Sequence, residues 1–164
     1  MKTLALFVLF IFGTPPYPEI TELRALYYQS ATDKAAASKL QELLSKVDDK
    51  SSELLICYKG VAEMMQAKYT MSPISKYRKF KKGKEFIENA VTLDPGNLEI
   101  RFLRFTIQTN LPSFLGYNDQ ITADKNILIK NLDQLRDQPL KQLVINYLFA
   151  SKHLTEKERN HLKK

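Results

Sequence analysis

From Ile20 onward the apolar positions recur at the three- and four-residue intervals of amphipathic helices, and no stretch keeps the alternation of a half-buried strand or carries an Asn-Gly hairpin turn. The first helix is expected over about 20–30, with Ile20, Leu23, Leu26 and Tyr27 on one face. Asp33 is placed to cap a second helix carrying Ala36, Leu40, Leu43, Leu44 and Val47, which the polar stretch 48–51 ends. A third, over about 52–69, shows Leu54, Tyr58, Val61 and Met65 on one side and Ile56, Gly60 and Ala67 on another. Small residues on that second side let a neighbouring helix come close. Ser72 and Pro73 read as the cap and first residue of a fourth helix that reaches Leu93. The chain then turns at Asp94-Pro95-Gly96-Asn97, because proline cannot continue the hydrogen-bond ladder and glycine and asparagine tolerate left-handed backbone.

The fifth helix, about 98–110, is apolar on two nearly opposite sides. Leu98, Phe102 and Phe105 form one stripe; Ile100, Leu103, Ile107 and Leu111 form the other, so the helix is expected between two neighbours. Its two polar seams hold Glu99, Thr106 and Asn110, and Arg101, Arg104 and Gln108. After a loop over 111–118 come a sixth helix over about 120–136, with Ile121, Leu128, Leu132 and Leu135 facing the core, and a seventh opened by Pro139. Thr155 and Glu158 are spaced as a capping box for a short last helix. Antiparallel helices joined by short turns imply an all-α chain of about seven to eight helices, arranged as a right-handed stack of α-hairpins.

A length of 164 residues with 44% apolar content suits one domain, expected over 17–164. Residues 1–16 read differently. Lys2, the unbroken apolar run from Leu4 to Phe12, Gly13 and the pair Pro15 and Pro16 have the layout of a secretory signal, although no A-x-A cleavage site stands after them. The run is shorter than the roughly 20 residues of a membrane span. Export to a periplasmic or extracellular compartment is therefore expected, with an uncleaved N-terminal anchor or a buried first helix as the alternatives. Cys57 is the only cysteine and projects beside Leu54, Val61 and Met64, the position of a buried structural thiol rather than a nucleophile.

Residues 83–97, GKEFIENAVTLDPGN, carry a family resemblance. Gly83, Ile87, Ala90 and Pro95 fall at the small, large, small and proline intervals of the second helix and turn of a tetratricopeptide unit, and Gly60 resembles the glycine of its first helix. The distance from Gly60 to Gly83 is roughly 11 residues longer than that family's spacing, and no second copy at a period of about 34 residues is visible. The chain thus resembles a degenerate tetratricopeptide protein. The segments YKGVAEMMQAKY, LDPGNLEIRFLRF and PSFLGYND also resemble small exported helical proteins of Bacteroidetes-type bacteria. These resemblances imply a right-handed superhelix, an envelope location and a non-catalytic role in binding a protein or peptide partner.

Chemistry-bearing positions are few. Arg101, Arg104 and Gln108 form a donor-rich strip suited to a carboxylate or phosphate, unless the arginines pair with local acids such as Glu63, Glu88, Asp94 or Asp124. In the loop, Phe114 and Tyr117 flank Gly116 and are candidate contact residues, unless the apolar loop plugs a gap between helices. The run KYRKFKKGK from Lys76 to Lys84 leaves Arg78, Lys79, Lys81 and Lys82 on the solvent side, either as a solvated helix face or as a surface for an anionic envelope lipid or polymer. Net charge of +7 favours acidic partners in general, and export makes nucleic acid an unexpected one. No glycine-rich phosphate loop, nucleophile elbow or metal-ligand spacing occurs, and a helix break is expected between His153 and His161. No cofactor is expected. The enzymatic alternative is a hydrolase or lyase whose carboxylates, Glu63 and Asp124 for instance, meet in a helical cleft.

Overall fold

The computed structural model describes residues 18–163, and the expected signal over 1–16 lies outside them. Every regular element among the described residues is helical. In chain order they are α1 (Ile20–Gln29), α2 (Lys34–Leu43), α3 (Glu53–Tyr69), α4 (Pro73–Leu93), α5 (Leu98–Asn110), α6 (Ile121–Asn131), α7 (Gln138–Ala150) and α8 (Glu156–Leu162). Short 3-10 turns stand at Ser113–Leu115 and Leu132–Gln134. Successive helices pack as hairpins, α1 on α2 and α3 on α4, and α5 packs on α6.

Helix starts follow from side chains that satisfy the free amides of a first turn. Asp33 accepts from Ala35 N, Asn97 from Glu99 N and Ile100 N, and Asp137 from Leu140 N. Thr155 and Glu158 close the expected capping box on α8. Two ends differ from expectation. α2 stops at Leu43, yet Leu44 and Val47 stay buried, because the chain tightens into turns from Ser45 N to Glu42 O and from Val47 N to Leu44 O. α6 stops at Asn131 for the same reason, since Leu132 keeps its core position while the backbone winds into the 3-10 turn at Leu132–Gln134.

The longest pair, α3 and α4, meets backbone to backbone at Gly60 and Gly83. A Cβ on Gly60 would lie 2.7 Å from the Gly83 carbonyl oxygen, and one on Gly83 would lie 2.8 Å from that of Gly60. The long spacing between these glycines is taken up by helix on both sides of the connection, so α3 and α4 both run past their crossing before the chain turns at 70–72.

Two apolar cores flank α5. Ile100, Leu103 and Ile107 enter the core shared with α1 to α4, while Phe102 and Phe105 enter the one shared with α6 and α7. The expected sandwich is what forms, and it leaves each polar seam of α5 facing a neighbouring helix.

Candidate functional site: an apolar cleft along the fifth helix

Ion pairs close the Arg101, Arg104 and Gln108 seam and the Glu99 end of the other. On one side Arg24 of α1 donates Nε and Nη2 to the two carboxylate oxygens of Glu99, each at 2.7 Å, and Tyr58 donates its hydroxyl to the same group at 2.7 Å. Arg24 also reaches Asp137 at 2.8 Å, which joins α1 to the start of α7. Bonding to Glu99, against the cost of burial, raises the Arg24 pKa, and burial raises that of Tyr58. On the other side the polarity is reversed. Arg104 grips Asp124 of α6 through Nε at 2.7 Å and Nη2 at 2.8 Å and Glu88 of α4 through Nη1 at 2.7 Å. Arg101 adds a bond to Asp124 at 3.0 Å and another to the Pro95 carbonyl at 2.9 Å.

The strip of Arg101, Arg104 and Gln108 is therefore internal. Asp124 is fully buried and Arg104 nearly so, and burial opposes the charge on Arg104 while Asp124 and Glu88 more than restore it. Gln108 accepts from Gln120 N at 3.2 Å, and its buried Nε2 has no partner among the described residues. Both arginines are engaged by Asp124, so the expected ligand strip is instead a clamp between α4, α5 and α6.

The loop separates its two aromatics. Gly116 takes a left-handed backbone conformation at φ 60°, which turns the chain so that Phe114 stands 85% exposed while Tyr117 is 2% exposed. Tyr117 packs edge-on to Phe80, donates to Glu88 at 2.6 Å, and has its pKa raised by burial. As a surface contact Tyr117 is thus corrected to a core residue. Phe114 keeps its exposed position.

The expected basic face is also divided. Lys82 and Lys79 converge on the buried carboxylate of Glu63 at 2.8 and 3.4 Å, leaving Arg78 and Lys81 exposed without partners among the described residues. Glu63 and Asp124, the pair weighed for acid chemistry, belong to separate ion-pair clusters. Among the described residues no three His, Cys, Asp or Glu side chains group to hold a metal. Cys57 is fully buried, and burial pushes its thiol pKa up.

An open cleft of about 900 Å³ runs along the C-terminal half of α5. Thr106, Ile107 and Asn110 of α5 form part of its lining together with Tyr27 and Tyr28 of α1 and Met64 and Met65 of α3. Tyr77 and Phe80 from the overhanging start of α4, the loop residues Phe114 and Leu115, and Tyr147 of α7 complete the apolar surface. Of six large apolar or aromatic side chains that stand exposed among the described residues, Tyr28, Tyr77 and Phe114 line this cleft, and Met71 and Ile74 lie within two residues of its Pro73. Such clustering marks a surface that is kept apolar for contact.

Along this apolar surface runs a polar station. Tyr27 and Thr106 share a 2.7 Å hydrogen bond, Tyr147 and Thr109 share another of 2.7 Å, and Asn110 Nδ2 donates to the Tyr147 hydroxyl at 2.6 Å and to the Thr106 carbonyl at 2.8 Å. The Asn110 Oδ1 acceptor has no donor among the described residues. Lys68 and Lys76 are the charged residues of the lining, which holds no Asp or Glu. Lys68 donates to the Ala31 carbonyl and lies over the Tyr69 ring, whereas Lys76 has no partner among the described residues.

Of the candidate partner-binding residues, Phe114 alone belongs to this cleft; Arg101, Arg104, Gln108 and Tyr117 do not. Tyr27, Tyr28, Lys76, Tyr77, Asn110 and Tyr147 were not foreseen as cleft members, and the adjacent tyrosines of α1 were the available signal, since Tyr28 lies about 100° round the helix from the core-facing Tyr27. No family model matches the chain, and neither does any curated protein or solved structure.

Proposed function

We propose that the protein is a non-catalytic interaction module that holds a segment of a partner protein in the cleft between α1, α3, α4 and α5. The observation that carries the reading is the gathering of Tyr28, Tyr77 and Phe114, exposed and aromatic, around one concavity. Tyrosine and phenylalanine supply large contact area at little conformational cost and dominate protein interfaces. Met64 and Met65 add adaptable apolar surface. The seam of Arg101, Arg104 and Gln108 that offered an alternative site is occupied by internal ion pairs, which supports the cleft over it. A tetratricopeptide-like superhelix and export to the cell envelope belong to the same proposal; no described helix is long and apolar enough to cross a membrane.

Site-directed photo-crosslinking tests it. A photoreactive phenylalanine at Phe114 should form an adduct with one identifiable protein in extracts of the source cells, while the same group at Leu93, 55% exposed on the far end of α4, should not. The purified partner should then bind the chain and lose affinity for Tyr77→Ala. Identical labelling at both positions would refute the reading.

Arg78 and Lys81, exposed near Met71 and Ile74, favour a second reading as an electrostatic adaptor to an anionic envelope surface. It predicts sedimentation with anionic vesicles that disappears when salt is raised.

A further inference from the structure

The cleft has a chemistry that narrows its occupant. Its lining combines an apolar body with the ammonium of Lys76 and the amide acceptor Asn110 Oδ1, both without partners among the described residues, and includes no carboxylate. We infer that it receives a short apolar peptide segment bearing an acidic side chain: the apolar side chains fill the cleft, a peptide N–H donates to Asn110 Oδ1, and the carboxylate pairs with Lys76. The inference rests on the reading of the protein as an interaction module and adds the partner's chemistry.

Three other occupants fit the same surface less well. A second copy docked face to face would bring Lys68 and Lys76 against a lining that holds the same two cations and no acid, on a chain whose net charge is +7. The chain's own apolar run at Leu4 to Phe12 is another conceivable guest, but residues 1–17 contain Lys2 and no Asp or Glu, so it too offers Lys76 nothing. A fatty acyl chain could pair its carboxylate with Lys76. It has no N–H to donate to Asn110 Oδ1. A peptide carries an amide at every residue and meets both requirements. The surrounding elements are helices and a loop, with no strand edge among the described residues, so the segment docks through its side chains and not by extending a sheet. A volume of about 900 Å³ gives room for several of them.

Selection of a phage-displayed random peptide library on the full chain tests the inference. Enriched peptides should combine large apolar residues with at least one Asp or Glu, and changing that acid to its amide in a synthetic copy should weaken binding about fivefold, the scale of an ion pair at a rim. Selection on Lys76→Glu should enrich Lys- or Arg-bearing peptides instead. Lys76 is exposed, so this variant leaves the core untouched and its circular dichroism should match the parent. Enriched peptides without acids, or a preference that Lys76→Glu does not change, would overturn the assigned chemistry while leaving the module reading intact. No enrichment, with tight binding of oleate or of phosphatidylglycerol vesicles, would overturn both.

Discussion

Gly60 and Gly83 face each other across the α3–α4 crossing so closely that each occupies the space the other's Cβ would need. Because the obstacles are carbonyl oxygens at 2.7 and 2.8 Å, they cannot move aside as a flexible side chain would. Alanine has the higher helix propensity by about 1 kcal/mol. The steric clash should outweigh it, and Gly60→Ala or Gly83→Ala should destabilise the protein by about 1–3 kcal/mol in urea titration. A stabilised variant would mean that the two backbones do not touch.

Asp124 compensates two arginines at once, and that asymmetry is measurable. Asp124→Ala leaves the buried Arg104 with Glu88 as its one remaining carboxylate and should cost about 3–5 kcal/mol. Arg101→Ala leaves the Arg104 pair whole and should cost about 1 kcal/mol. Arg104→Ala is expected near the larger figure, so any loss of binding in that variant would report damage to the fold. Equal costs for Asp124→Ala and Arg101→Ala in chemical denaturation would contradict the clamp.

The two loop aromatics should respond oppositely. Phe114→Ala removes an exposed ring and should change stability by less than about 0.5 kcal/mol while weakening partner binding. Tyr117→Ala opens a cavity beside Phe80 and should cost about 3–5 kcal/mol; Tyr117→Phe, which loses only the bond to Glu88, should cost about 1 kcal/mol. Thermal melts of the three variants decide it.

Acid should act through the capped ion pairs. The amide of Leu140 and then the guanidinium of Arg24 hold the Asp137 carboxyl below its ordinary 3.8, and Lys125, then the Thr155 cap, hold that of Glu158 below 4.5. With folded values depressed, the unfolded chain takes up protons first as pH falls. The stability these groups contribute is whole above the unfolded values and is lost as pH drops through the folded ones. Urea midpoints should be insensitive to these two carboxylates near neutrality and fall below about pH 4.5. Asp137→Asn should be less stable at neutral pH and show a shallower acid slope; an unchanged slope would remove Asp137 from the account.

Much of the architecture is legible before any coordinates because its signals are local. Pro73 and Pro95 bracket α4, and the two stripes of α5 announce a helix with neighbours on both sides. The ends of α2 and α6 are not legible, since Leu44, Val47 and Leu132 keep helical spacing even where the backbone leaves the α-helix. The fate of Phe114 and Tyr117 depended on the hand of the backbone at Gly116, which spacing does not encode. The cleft was hidden for a topological reason: Tyr28, Met64, Asn110 and Tyr147 come from four separate helices, and no window of sequence contains their meeting.

Having α5 inside both cores means that this chain has no natural seam. Each half of the molecule lacks a wall unless the same rod supplies it, so melting or nicking 98–110 would unroof Leu103 and Phe105 together and expose oil on two flanks at once. The protein should therefore come apart as a unit, and neither half is expected to survive alone.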